Sequence, residues 1–396
     1  MAALLKTLKS IKWKRYIKTL KSIKWKRYIN YIAVSFALIL FTTLSFTQKN
    51  GLKLSTLFLL EKVGIAVLLS VSLGLVVGFL GELSLGHAGF MCIGAYVGGK
   101  TAALLATTSV GSGILSILIS VVAGTLAAAA FGFVVGLPAL RLKGDYLAIV
   151  TLASCEIVRT IFTNTSEETF GGPMGFKTPR YNKEYLFIVI FVFILICLAV
   201  MQNFIRSKHG RAITAIRDNE IAARATGINV TKYKLSAFVL SAAFAGVAGV
   251  MYSFANYLVR ADLFDYNYSI EILVMVVLGG MGNITGGIVS ATVITVLNEK
   301  LTTILTGDLA VFKNIIYALI LVLIVIYNNA PALKGVREKY NVKALIAKLR
   351  GKSHTHDGED EGKWDRVPTK ITMDELLSVD VVVRESVVNP DKGGKE

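Results

Sequence analysis

The chain has 396 residues, of which 54% are hydrophobic and only 17% are charged, and its formal net charge is +17. A chain this apolar cannot bury its hydrophobic surface in one soluble core, so the composition excludes a soluble globular protein and indicates an integral membrane protein. The basic residues lie at the ends of apolar runs rather than among exposed aromatic residues, which argues against nucleic acid as a partner.

The N-terminus contains a tandem duplication, KTLKSIKWKRYI, at 6–17 and again at 18–29. Ten lysine and arginine residues therefore precede the first apolar run. This pattern predicts that 1–30 is a basic cytoplasmic tract lying on anionic membrane lipid. The alternative is a local duplication that only strengthens an orientation signal. The apolar run 31–46 is followed by no cleavage site, so it is predicted to be a signal-anchor.

Further apolar runs have the length of about 20 residues that a helical span needs. They lie at 57–80, 87–108, 114–137, 146–163, 185–204, 235–258, 270–297 and 309–328. The predicted fold class is therefore all-α, a polytopic integral membrane protein with about eight spans plus one glycine-broken or re-entrant segment. The transmembrane domain is predicted over 31–330. The polar tail 331–396 is predicted to be cytoplasmic and largely disordered.

The distribution of positive charge predicts the orientation of the chain. Alternate connections at 1–30, 138–144, 205–234 and 329–352 hold 26 lysine and arginine residues, whereas those between them hold 6. The positive-inside rule then places both termini in the cytoplasm. This parity requires that 270–297 does not cross the membrane once. A single long span with an external tail is the alternative.

Two glycine-rich stretches, GELSLGHAG at 81–89 and LGGMGNITGG at 278–287, interrupt apolar runs. Irregular backbone at membrane depth is tolerated only inside protein or beside a water-filled path. The predicted translocation-path residues are Gly81, Glu82, Ser84, Gly86, His87, Gly279, Gly280 and Gly282. The alternative for His87 is a neutral, hydrogen-bonded packing residue. Elsewhere, Glu156 and Arg159 are spaced to neutralise each other on one helix face, and Glu271 is predicted to be interfacial.

The polar stretch 210–234 lies between two apolar runs on the predicted cytoplasmic side. Asp218 is predicted to cap a short helix that ends at Gly227 in the left-handed conformation. Its apolar face would consist of Ile221, Ala222, Ala225 and Ile228. Such a helix suits insertion into a groove of another protein, and an ordinary solvated loop is the alternative.

No catalytic motif is present: the chain lacks GxxxxGK[ST], HExxH and GxSxG. We therefore expect no enzymatic activity and no cofactor, so the energy for transport would come from a partner or an ion gradient. His354 and His356 lie in the polar tail without further ligands, and no metal site is predicted.

Five stretches occur in the order and approximate spacing found in branched-chain amino acid ABC importer permeases, the larger of the two membrane subunits. They are GELSLGHAGFMCIGAY, LRLKGDYLAIVTLASCEIVR, TFGGPMGF, GRAITAIRDNEIAARATGINVTKYKLSAFVLSAAFAGVAGVMY and SIEILVMVVLGGMGNITGG. The resemblance covers roughly 57–328. It implies import of leucine, isoleucine and valine, with a second permease, two ABC ATPase subunits and an external substrate-binding protein as partners. Selectivity is expected to come mainly from that binding protein.

The resemblance also implies that the loop 210–234 docks into the ATPase subunit, because EIAARATG resembles the EAA-x3-G element of importers. Ile221 departs from the pattern by separating Glu220 from the two alanines, and no leucine-proline follows. The implied coupling residues are Arg217, Asp218, Glu220, Ala222, Ala223 and Gly227. A urea or short-amide importer permease, a stand-alone secondary transporter or channel, and a non-transport membrane scaffold are the alternatives.

Overall fold

The computed structural model describes residues 29–47, 53–107, 113–142, 144–179, 181, 183–305, 315–319, 322 and 326. They all fall within the unit Met1–Asn328. Nearly all of the basic tract 1–30, most of the run 309–328 and the whole tail 331–396 lie outside the described residues. The expectations for those three segments therefore remain predictions.

The described residues are almost entirely helical, as the apolar runs predict. The helices are α1 (Ile29–Thr47), α2 (Leu54–Gly74), α3 (His87–Ala106), α4 (Ile114–Ala139), α5 (Asp145–Asn164), α6 (Glu167–Phe170), α7 (Lys183–Arg206), α8 (Lys208–Asp218), α9 (Glu220–Ala225), α10 (Val230–Asn256), α11 (Tyr266–Gly279) and α12 (Ile284–Ile304). A π-helix, Leu75–Leu80, continues α2, and short 3₁₀ turns occupy Gly172–Met174 and Ala261–Leu263. Two-residue strands β1 (Phe176–Lys177) and β2 (Leu258–Val259) pair antiparallel, a small feature that the all-α prediction missed.

Six helical stretches in the described part of the chain are long and apolar enough to cross a membrane. They are Leu54–Leu80, His87–Ala106, Ile114–Ala139, Asp145–Asn164, Tyr185–Arg206 and Val230–Asn256. The prediction of a helical, polytopic membrane protein is thus confirmed at this coarser level. The total of about eight spans stays a prediction.

Glycine residues bring α3, α4 and α10 into close contact at the centre of the bundle. A Cβ atom on Gly94 of α3 would lie 2.3 Å from the carbonyl oxygen of Gly246 on α10. A Cβ on Gly249 would lie 2.0 Å from the carbonyl oxygen of Met91. Only glycine permits backbones to approach this closely, which is how helices pack in lipid without a hydrophobic driving force.

The helices differ in how much of their surface the rest of the chain covers. Within the most apolar stretch of each, 89% of the α2 residues are buried, compared with 33% in α4 and 28% in α5. Exposed aliphatic side chains such as Leu126, Val134, Ile157 and Ile161 lie along those two helices. Helix α2 is therefore enclosed by protein, whereas α4 and α5 present wide apolar faces.

The run 270–297 forms a helical hairpin, α11 and α12, rather than one long helix. Gly280 and Gly282 adopt positive φ angles in the turn between them. The Ser290 hydroxyl on α12 donates to the carbonyl oxygen of Met275 on α11 at 2.5 Å. Asn298 donates to Glu271 at 3.2 Å. These pairings run antiparallel, so the chain turns back at 280–283, as the glycine-rich sequence predicts.

Candidate coupling and translocation site

The short helix α9 is capped by Asn219, and the prediction that Asp218 caps it is wrong. Asp218 is the last residue of α8, and its carboxylate accepts from the guanidinium of Arg217 at 3.1 Å. Asn219 has an extended backbone, and its side-chain oxygen accepts from the amide of Ala222 at 3.0 Å. Both residue types cap helices well, so composition alone does not decide between neighbours.

Gly227 ends α9 as predicted, in the left-handed conformation with φ of +83°. Its amide donates to the carbonyl of Arg224 at 3.0 Å, and the next amide, of Ile228, donates to Ala223 at 3.1 Å. This is the arrangement in which glycine satisfies the last carbonyls of a helix. A Cβ atom at Gly227 would meet no atom within 4 Å, so the need for glycine here arises from the backbone angle alone.

The apolar face of α9 is only partly the one that the sequence predicts. Ile221 is 80% exposed, and Ala222 and Ala225 are exposed beside it. Ala223 is buried, however, in a small cluster with Ile216 and Val230. Ala223 therefore anchors α9 to its own chain and does not lie on the exposed side of the helix, and its predicted role in coupling stays a prediction.

Arg217 connects this polar segment to both glycine-rich breaks. Its Nη1 atom donates to the carbonyl oxygen of Gly78 at 3.0 Å, an oxygen in the π-helix. A Cβ atom on Gly81 would lie only 2.6 Å from the Cγ atom of Arg217, so the aliphatic part of the arginine packs on this glycine. A Cβ on Gly78 would lie 2.4 Å from the backbone nitrogen of Gly282. The π-helix and the tip of the hairpin are therefore in direct backbone contact, with Arg217 beside them.

A buried ion-pair network provides a second connection. The Lys234 ammonium, near the start of α10, lies 2.5 Å from a carboxylate oxygen of Glu82 and 3.3 Å from one of Glu220. The three side chains are only 6%, 14% and 20% exposed, respectively. Lys234 thus joins the first residue of α9 to the break that follows α2. The sequence offers only an indirect signal for this role, a lysine directly before the apolar run 235–258.

The remaining predicted path residues divide into two groups. Gly280 and Gly282 form the hairpin turn, and Gly279 packs on the backbone of Gly286. In the other break, Gly86 packs on the carbonyl of Thr151. Ser84 is buried, and its hydroxyl has no hydrogen-bond partner among the described residues.

His87 is buried in the bundle, and its Nε2 atom lies 2.6 Å from the Ser72 hydroxyl. The carbonyl oxygen of Ser72 in turn accepts from Ser241 on α10 at 2.6 Å. A buried histidine with this partner is a packing residue, so the structure favours that alternative over a position lining an open path.

Glu156 and Arg159 on α5 form the ion pair that their spacing predicts, with an Arg159 Nε to Glu156 Oε2 distance of 2.7 Å. Both side chains are about one-third exposed. Among the described residues, no group of three or more histidine, cysteine, aspartate or glutamate side chains is arranged to hold a metal ion.

Residues 55–325 match the family model described as branched-chain amino acid transport system / permease component. The chain is 35% identical over 316 residues to the high-affinity branched-chain amino acid transport system permease protein LivM of Salmonella typhimurium, covering 72% of this chain and 71% of that protein. The Escherichia coli protein of the same name gives the same identity and coverage. The probable LivM permease of Methanocaldococcus jannaschii is 29% identical over 59% of this chain and 78% of its own length. No solved structure matches. The chain therefore belongs to the family of branched-chain amino acid transport system permease components.

Proposed function

We propose that this chain is a membrane permease subunit of an ABC importer for branched-chain amino acids, and that partner subunits hydrolyse the ATP. The observation that carries the proposal is the family match over 55–325. The substrate class, leucine, isoleucine and valine, follows from the names of the three relatives. The six apolar helices supply the membrane-spanning body that such a subunit needs.

The proposed location is the cytoplasmic membrane of the cell, the inner membrane where two are present, with multiple spans and both termini cytoplasmic. The charge asymmetry of 26 to 6 supports this orientation. The contacts of Arg217 and Lys234 with the break after α2 also place 81–86 at the same end of the bundle as 217–234. Helix α1 and the run 309–328 would complete the eight spans, with the α11–α12 hairpin as the segment that does not cross once.

Each proposed partner has a surface to contact. The wide apolar faces of α4 and α5 suit a second permease subunit and membrane lipid. Helix α9 suits one of the two ATPase subunits, and the other ATPase subunit would contact the second permease. At the opposite end of the bundle, the connections joined by β1 and β2 suit an external substrate-binding protein.

Coupling would operate through α8 and α9. Ile221, with 80% of its surface exposed, would enter a groove on the ATPase with Ala222 and Ala225 beside it. A displacement of α9 would then reach the glycine-rich breaks through two short connections, Arg217 to Gly78 and Glu220 to Lys234. Coupling between two sites can be carried by a contiguous set of contacts, and these residues provide one.

The test replaces Ile221 by aspartate, with Ile221→Val as the matched control. A charge forced into an apolar groove without a partner opposes association strongly. We expect Ile221→Asp to reduce co-purification of the ATPase subunits and substrate-stimulated ATP hydrolysis by about tenfold or more, while membrane insertion stays normal. Ile221→Val should behave like the unmodified protein.

Unchanged association of the Ile221→Asp variant would contradict the assignment of α9 as the coupling helix. Full leucine uptake by the isolated chain, reconstituted in vesicles without ATPase subunits, would contradict the importer assignment itself and favour a stand-alone transporter.

A further inference from the structure

A cavity of about 240 Å³ lies between α2, α11 and α12, at the end of the bundle away from α9. We propose that this cavity is a transient binding site for one free amino acid on its way through the permease. The proposal rests on the proposed function, since it names a place where the imported substrate would bind. Cavities for drug-sized ligands measure about 300–1,000 Å³, so this one suits a smaller molecule.

The polar groups that line the cavity carry charges of both signs. Lys62 forms an ion pair with Glu299, and both side chains are about one-third exposed. Glu271 accepts a hydrogen bond from Asn298 at 3.2 Å and another from the Tyr317 hydroxyl at 3.0 Å. An ammonium group and two carboxyl groups within one cavity match the carboxylate and ammonium of an amino acid zwitterion.

The charged groups and the apolar groups lie at different depths. On α2, Lys62 lies nearer the helix start than Ile65 and Ala66. On α11, Glu271 likewise precedes Met275 by one turn. A helical turn rises about 5.4 Å, so the charged groups form the mouth and the aliphatic side chains form the floor. This order fits a ligand with a charged head and a branched aliphatic side chain.

Thr295 supplies a further observation that points to a ligand. Thr295 is one of the lining residues, and its hydroxyl is buried and has no hydrogen-bond partner among the described residues. Buried polar atoms are nearly always satisfied by protein or by a bound molecule. A rotation of the Thr295 side chain toward the cavity would let a bound ligand hydrogen-bond with this hydroxyl.

The cavity lies where α2 packs against the α11–α12 hairpin, a contact named here the α2–hairpin seam. This position also fits a step in transport. Further along the same seam, towards α9, the next cavity measures only about 10 Å³ and is lined by Ser70, Gly282 and Gly287, among others. That volume is about the space of one water molecule. The seam is thus open at the Lys62 end and closed at the Gly282 end, as expected for a site loaded from outside.

The test measures binding of radiolabelled leucine to the purified complex of permease and ATPase subunits, without the external binding protein. Competitors that each lack one group of leucine show, on the unmodified protein, which groups the cavity recognises. Leucinol lacks the carboxylate, 4-methylpentanoate lacks the ammonium, and glycine lacks the side chain. Each should compete about tenfold or more weakly than leucine, because each leaves one part of the cavity unpaired. Phosphoethanolamine tests the alternative that the charged mouth binds a lipid headgroup.

Two variants test whether the charged residues of the cavity bind leucine. Glu271→Gln and Lys62→Met should each weaken leucine binding by about tenfold or more. Lys300→Met is the matched control, because Lys300 is exposed on α12 next to Glu299 and does not line the cavity. Glu271→Gln keeps both hydrogen-bond acceptance and shape, so it separates loss of charge from misfolding.

Equal competition by leucine and by leucinol, or stronger competition by phosphoethanolamine, would overturn the proposal. So would Glu271→Gln and Lys62→Met variants that bind leucine as Lys300→Met does. Leucine uptake by the full importer distinguishes this failure from that of the proposed function: uptake without binding in the cavity refutes only the subsite. Absence of branched-chain amino acid uptake by the unmodified importer refutes the proposed function. In that case the leucine-binding measurement still tests whether the cavity is an amino acid site.

Discussion

The buried network around Lys234 yields the most direct prediction about stability and coupling. Lys234→Met keeps the length of the side chain but removes the ammonium that lies 2.5 Å from Glu82 and 3.3 Å from Glu220. At an effective dielectric constant of about 20, unit charges about 3.3 Å apart attract each other by ~5 kcal/mol. Desolvation offsets part of this attraction, because the lysine side chain is only 6% exposed.

Removing one partner of a buried ion pair leaves the other charge uncompensated and costs about 3–5 kcal/mol. We expect Lys234→Met to lower the free energy of unfolding by that amount. Adding Glu82→Gln to Lys234→Met should recover stability, with a coupling energy of at least about 1.5 kcal/mol in the double-mutant cycle. Lys232→Met is the control, since Lys232 is exposed on the same helix two residues earlier.

The assay is unfolding in mixed micelles by increasing amounts of sodium dodecyl sulfate, followed by far-ultraviolet circular dichroism. Uptake and ATP hydrolysis by the assembled importer are measured in parallel, and we expect hydrolysis to continue with less leucine transported per ATP. The reasoning is refuted if Lys234→Met and Lys232→Met agree in stability to within about 0.5 kcal/mol. It is also refuted if the two single changes, Lys234→Met and Glu82→Gln, are additive.

Three further predictions concern the π-helix and the segment 217–227. Gly78→Ala would place a methyl group 2.4 Å from the backbone nitrogen of Gly282, so we expect loss of uptake. Gly74→Ala, where a Cβ meets nothing within 4 Å, should retain uptake, and equal uptake by both variants would contradict the contact. Gly227→Ala should cost about 1–2 kcal/mol through its left-handed backbone and weaken ATPase stimulation, whereas Gly227→Asn should retain more of it; the reverse order would count against the backbone argument. Arg217→Met should lower uptake severalfold without impairing insertion, and normal uptake would show that its bond to Gly78 is dispensable.

Periodic and compositional features of the sequence predicted the fold well. Apolar runs of about 20 residues locate the long helices, because lipid requires each span to satisfy its backbone internally. Clustered glycines locate the turn at Gly280–Asn283 and the interruption after Leu80, because only glycine adopts positive φ without strain. These signals are local in sequence, so they can be interpreted without knowing which distant residues pack against them.

The contacts that define the candidate site are not local. Glu82 and Lys234 are 152 residues apart in the chain, and neither neighbourhood indicates the other. The same applies to the burial of Ala223, which depends on Ile216 and Val230 packing against it. Helical spacing assigns Ala223 to a face of α9 but does not say whether that face meets a partner or its own chain. Only the tertiary arrangement decides between the two.

The α2–hairpin seam connects the proposed coupling segment, α8 and α9, to the cavity through a small number of shared helices. The Lys62 end is open with a cavity of about 240 Å³, and the Gly282 end is closed to about 10 Å³. Gly282 lines the closed end and is in close backbone contact with Gly78. Arg217, which lies in the proposed coupling segment, donates a hydrogen bond to the Gly78 carbonyl, and a hydrogen bond from a charged donor contributes about 1.5–3 kcal/mol. A partner that moves α8 and α9 would act on this bond directly, because Arg217 Nη1 lies 3.7 Å from the position of a Cβ on Gly282, and the force would not have to pass through the length of the bundle.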